Sequence, residues 1–79
     1  MAIRLIEGLH LTATNKRHIA SIIQNGWTEG KSNQIGYTVT PIEDEPSRFR
    51  YHLRKRDRDD WGRPVLREGR GIIEYLPDQ

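Results

Sequence analysis

The sequence contains no cysteine, which excludes disulfide staples, thiolate zinc sites and cysteine nucleophiles. It also lacks any apolar stretch near the ~20 residues that a membrane-spanning helix needs. In "MAIRLIEGLHLTATNKRH" the short apolar pieces are interrupted by Arg4, Glu7 and His10, unlike the continuous apolar centre of a signal peptide. These absences lead us to expect a soluble cytoplasmic protein with no membrane partner. Internal repeats, low-complexity tracts and interdomain linkers are absent too. With 79 residues, 30% charged and 34% hydrophobic, the chain reads as one domain spanning 1–79. A domain this small buries a modest share of its surface, so its stability is expected to be only several kcal/mol. An enclosed substrate pocket would compete with the core for the same few side chains.

Catalytic and metal signatures are equally sparse. His10, His18 and His52 fall in different elements without the HxxxH or HExxH spacing of a metal site. The "GRG" of Gly69–Gly71 precedes a strand, where a dinucleotide fingerprint would follow one. Ser21, Ser32 and Ser47 lack a nucleophile-elbow context. No enzyme, cofactor or bound metal is expected on these grounds. One partial match remains, "DRDDWGRPVLRE", in which Asp57, Asp59, Gly62 and Glu68 occupy ligand and turn positions of a calcium loop. Trp61 replaces an oxygen ligand there, Pro64 sits where that loop pairs, and Arg58, Arg63 and Arg67 oppose a cation. The favoured reading is a hairpin loop whose aspartates accept backbone N–H bonds and whose Gly62 takes a positive φ. A calcium-binding protein or small enzyme is the third reading.

What the sequence does have is arginine. Net charge is only +2, yet between Ser47 and Ile72 nine basic residues face four acids, so the remainder is net acidic. Ten of the thirteen cations are arginine, the side chain suited to flat, bidentate contact with carboxylate or phosphate.

Hydrophobic spacing predicts the elements. Ile3, Leu5, Leu9 and Leu11 alternate with polar residues in a first strand, interrupted at Ile6–Glu7. "TATNKRHIASIIQNG" has a cap at Thr12 or Thr14, a buried stripe of Ile19, Ala20, Ile22 and Ile23, and a stop at Gly26, which predicts a helix over roughly 15–25. Trp27 is expected to fold back on Ile23 as a core anchor, and the face bearing Asn15, Lys16, Arg17, Ser21 and Gln24 to meet solvent. "TEGKSNQ" reads as a polar connecting loop. "IGYTVTPI" reads as a strand closed by Pro41, pairing with the arginine segment in a hairpin over 35–55 with a four- to five-residue turn. "GRGIIEYL" is the last strand. The expected fold is α+β: a small antiparallel sheet of three to four strands with one helix on one face, in the order β-α-β-β-β.

In "SRFRYHLRKR" the pleat sorts Phe49, Tyr51 and Leu53 to one side and Arg48, Arg50, His52, Arg54 and Arg56 to the other. Successive cations stand about 6 to 7 Å apart. Two readings compete. In one, the cations pair with Glu43, Asp44, Glu45 or Glu74 and protect a solvated strand. In the other, like charges on one strand repel until a partner supplies negative charge. Nucleic acid is one such partner, with Tyr51, Trp61 or Tyr75 as stacking platforms; the acidic surface of a protein is another. The candidate partner-binding set is therefore Arg48, Arg50, Tyr51, His52, Arg54, Arg56, Arg58, Trp61 and Arg63. We expect a non-enzymatic binding protein, monomeric or weakly dimeric, docking this basic face onto a polyanion. The alternative is a phage- or plasmid-type, anti-CRISPR-like inhibitor that blocks a large nucleoprotein complex of its host by protein–protein contact.

Overall fold

The computed structural model describes residues 2–8, 10–32 and 34–77. Five strands and one helix follow in the order β1 (Ala2–Gly8), α1 (Ala13–Gln24), β2 (Glu29–Ser32), β3 (Ile35–Ile42), β4 (Glu45–Arg58) and β5 (Pro64–Leu76). All strand pairs are antiparallel, in the spatial order β1-β5-β4-β3-β2. The architecture remains broadly α+β, but the expected three to four strands in the order β-α-β-β-β are wrong. The added strand is β2, within the segment read as a loop.

That strand is hard to see because Glu-Gly-Lys-Ser lacks the β-branched and aromatic residues that favour a pleated surface. It forms by pairing with the edge of β3, with Gly30 opposite Tyr37. Glycine suits this position: a Cβ would lie 2.9 Å from Ile22 Cδ1, so a larger residue would have to displace the Ile22 side chain. With β2 occupying the underside of the helix end, Trp27 does not fold back and is 59% exposed. The helix end is closed by backbone bonds instead. Gly26, at φ +71°, donates to the Ile23 carbonyl at 3.1 Å, and Trp27 N–H donates to that of Ile22 at 3.0 Å, the paired bonds of a Schellman stop.

At the other end, Thr12 Oγ1 accepts the Asn15 N–H at 3.1 Å and Asn15 Oδ1 accepts that of Thr12 at 3.3 Å, a reciprocal cap. Asn15 is not solvent-facing as expected, because its Nδ2 donates to Tyr37 Oη at 3.1 Å. His18 sits 5.6 Å from the Tyr37 ring centroid and 3.0 Å, through Nε2, from Ser32 Oγ. These polar contacts tie the helix to β2 and β3 around an apolar centre.

The core lies between α1 and one face of the sheet: Ile19, Ala20 and Ile22 from the helix, Leu11 from the connection, and Tyr37, Val39, Tyr51 and Ile73 from the strands are buried. Leu11 lies past the end of β1, and Leu9 is outside the described residues. The break at Ile6–Glu7 is a β-bulge, since the register shifts between Leu5↔Ile73 and Glu7↔Ile72; the extra residue resets the face on which the strand ends.

Two hairpins differ from expectation. Pro41 does not end β3, which continues to Ile42 and turns back at Glu45, with Asp44 at φ +66° between them. The register irregularity beside Pro41 is where a residue lacking an N–H is tolerated. The second hairpin is much longer: β4 and β5 stay paired out to Arg58↔Pro64. β3 stops pairing at Lys55 and β1 at Gly71, so residues 56–66 project as a free two-stranded ribbon and the molecule measures 46 × 20 × 19 Å. Among the described residues no helix is long and apolar enough to cross a membrane.

Candidate functional site

β4 is the central strand, held by β3 on one side and β5 on the other. Phe49, Tyr51 and Leu53 belong to the core side, so alternation turns Arg48, Arg50, His52, Arg54, Arg56 and Arg58 to the opposite face. The single helix among the described residues packs on the core side, and no described element covers this second face.

Tyr51 is not part of that face. It is 2% exposed, which removes it from the candidate contact residues. The cause lies across the strand pair: Tyr51 stands opposite Gly71, and Cβ atoms built on Gly71 and Gly8 would meet its hydroxyl at 2.8 and 2.7 Å. Two glycines clear the space into which the ring lies.

Register then decides which cations are neutralised. Arg48 stands opposite Glu74, which stands opposite Arg4. Glu74 Oε1 is 2.6 Å from Arg4, and Arg48 reaches Glu74 at 3.8 Å and Glu45 at 3.6 Å. Arg48 is thus clasped by the protein's own carboxylates. His52 Nε2 lies 3.1 Å from Glu68 Oε1. Arg50 and Arg56, by contrast, have no ion-pair or hydrogen-bond partner among the described residues, and Arg70, opposite His52, has none either.

Arg54 has a different arrangement. Its Nη2 donates to Thr38 Oγ1 at 3.1 Å, and its guanidinium lies alongside Gly36 at van der Waals distance, 3.5 to 3.6 Å from where a Cβ would be. A neutral hydroxyl fixes the fork without cancelling its charge. Lys31, Arg56 and Arg58 line the same shallow groove. A second depression is lined by Arg50, His52, Arg70, Thr38, Thr40 and one carboxylate, Glu7.

The ribbon tip follows another rule. Asp59 Oδ1 accepts the N–H groups of Trp61 and Arg63 at 2.9 and 2.8 Å, Gly62 takes φ +76°, and Gly62 N–H donates to the Asp59 carbonyl at 3.0 Å. This is a type I turn followed by a left-handed glycine. The neighbouring cations are tied down locally: Arg63 to Asp59 at 3.3 Å, Arg67 to Asp57 at 2.9 Å, and Arg58 Nη1 to the Gly62 carbonyl at 2.8 Å. The Asp57 carboxyl is held below the usual carboxylate range, chiefly by the Arg58 N–H it accepts and then by the Arg67 guanidinium. Trp61 stands clear at 81% exposure.

The calcium-loop reading does not survive this geometry. Asp57 and Glu68 lie on opposite strands, opposite Val65 and Arg54 respectively, and Asp59 is committed to the turn. Among the described residues no group of three or more His, Asp or Glu is gathered to hold a metal.

Sequence reasoning missed Arg70, Lys31 and Thr38. The alternation of Arg70 and Glu74 with Gly71 and Ile73 was there to read, but only register sets Arg70 beside His52. Lys31 lies on the strand that composition hides. Compared with known proteins, the chain matches no family model, no curated protein and no solved structure.

Proposed function

We propose that the protein is a non-catalytic docking module of the cytoplasm whose open sheet face binds a polyanionic partner. The observation that carries this reading is the set Arg50, Arg54 and Arg56: three guanidiniums on one face of a central strand, without a carboxylate partner among the described residues. Like charges at this spacing repel, and an acceptor carrying several negative charges relieves that repulsion and takes the flat forks in bidentate contact. Arg54 is pre-oriented by Thr38, so less side-chain freedom is lost on binding.

Retention on immobilised heparin tests the reading. Wild type is expected to elute at clearly higher salt than Arg50→Ala/Arg54→Ala/Arg56→Ala, and equal elution of the two would refute it. A second reading, the inhibitor that docks on a protein surface, is favoured by Trp61, an exposed aromatic on a turn that spends six hydrogen bonds and ion pairs on its own shape. Rigid, exposed tryptophans flanked by arginine are frequent anchors of protein interfaces. Under that reading, a complex in the host would survive nuclease and be lost with Trp61→Ala.

A further inference from the structure

We infer that the partner of the open face is duplex nucleic acid, gripped through its phosphate backbone without regard to sequence. The inference rests on the polyanion reading above and narrows it. Three observations point to it.

The first is where the rings are. Proteins that bind single strands combine cations with aromatic platforms, and stacking contributes about 1–3 kcal/mol per base. Here Tyr37 and Tyr51 are buried under the helix and Phe49 packs against the same core. Tyr75 pairs with Ile3, on that same side. Of the described residues on the open face, only His52 carries a ring, and it is engaged by Glu68. The face offers charge without a surface for a base to lie on.

The second is the placement of the free cations. Arg50, Arg54 and Arg56 follow the strand at intervals of about 6 to 7 Å or twice that, with Arg70 and Lys31 to either side. Such a ridge fits a regular line of charges. Duplex DNA carries one negative charge per ~1.7 Å of axis, twice the density of a single strand, so without stacking the duplex is the stronger ligand.

The third is the ribbon. A two-stranded ribbon has the width to enter a major groove, but here the tip cations are held by Asp59, Asp57 and the Gly62 carbonyl. Arg56, and Arg58 held through a neutral carbonyl, keep their charge on the ribbon, whereas Arg50, Arg54, Arg70 and Lys31 keep theirs on the sheet. With most of the uncancelled charge on the sheet, the contact is with backbone, and base edges are not read.

Fluorescence anisotropy with defined probes tests this: a mixed-sequence DNA duplex of about 20 base pairs, its scrambled counterpart, an oligo-dT strand with the same number of phosphates, and polyglutamate. Both duplexes are expected to bind equally, and oligo-dT at least several-fold more weakly. With three to four phosphates contacted, the log–log salt slope is about −3, a loss of roughly 60-fold between about 50 and about 200 mM salt. Arg50→Gln/Arg54→Gln is expected to flatten that slope by nearly 2, and Trp61→Ala to leave it unchanged; a thermal melt confirms that each variant is folded. Should a variant fail to fold, the wild-type probe ranking and salt slope decide alone. Equal or tighter binding of oligo-dT, a sequence preference between the duplexes, or loss of duplex binding in Trp61→Ala overturns the inference and leaves the polyanion reading standing. Binding of polyglutamate but of neither nucleic acid overturns it in favour of an acidic protein. Binding of no probe refutes the polyanion reading itself.

Discussion

On one side of β4, Phe49, Tyr51 and Leu53 lie against the core beneath the helix; on the other, Arg50, Arg54 and Arg56 form no ion pair among the described residues, Glu68 opposite Arg54 being engaged by His52. The same ten residues build both faces, yet the demands differ. The covered face is close-packed, so volume is decisive: Tyr51 fits only because Gly8 and Gly71 present no side chain to it. The open face carries no packing load, and its organisation is electrostatic. Arg48 is satisfied from within by Glu45 and Glu74, whereas its neighbours are not. Substitutions should therefore cost stability on one face and binding on the other.

The largest effect is expected at Gly71. A Cβ there collides with the Glu7 carbonyl oxygen and lies 2.7 Å from Tyr51 Cε2, so Gly71→Ala should cost at least about 3 kcal/mol by urea denaturation. That is a large share of the stability of so small a domain. Next comes Ile19→Ala, at a side chain with no exposure, for which a loss of about 2–4 kcal/mol is expected. Thr12→Ala removes the acceptor of the Asn15 N–H and should cost about 1 kcal/mol. On the open face, Arg50→Ala is expected to change stability by less than about 0.5 kcal/mol, with a slight gain possible as repulsion is relieved. A loss of more than about 1 kcal/mol at Arg50 would mean that this side chain has a structural role and would break the contrast.

The smallest effect is at the ribbon. Asp57 has its pKa lowered in the fold, so its contribution is present above the unfolded carboxylate value and is lost as pH falls through the lower folded value. Acid titration of stability should therefore show a slightly smaller loss in Asp57→Asn than in wild type across that window. An identical profile for the two would show that the Arg67–Asp57 pair does not hold the ribbon together.

Much of this could be read in the chain. The helix, a cap at Thr12 or Thr14 and a stop at Gly26 follow from local spacing and backbone chemistry, and the structure selects Thr12. The two faces of β4 follow from strict alternation, and the positive φ of Gly62 from turn chemistry. Other features were not legible. β2 consists of residues with little strand preference and exists because an edge of β3 is available to pair. The length of the ribbon was masked by a stretch that resembles an ion-binding loop. Trp27 reads as a core anchor because nothing local shows that the β2 backbone at Gly30, three residues on, lies against Ile22 at the helix end.

By itself, the sequence determined which residues of β4 share a side, because side-chain alternation is a property of every extended chain. Which of those arginines are left with free charge was decided only by the tertiary structure. Neutralisation depends on the carboxylates brought opposite by strand register, and register is set by turns, bulges and glycines many residues away.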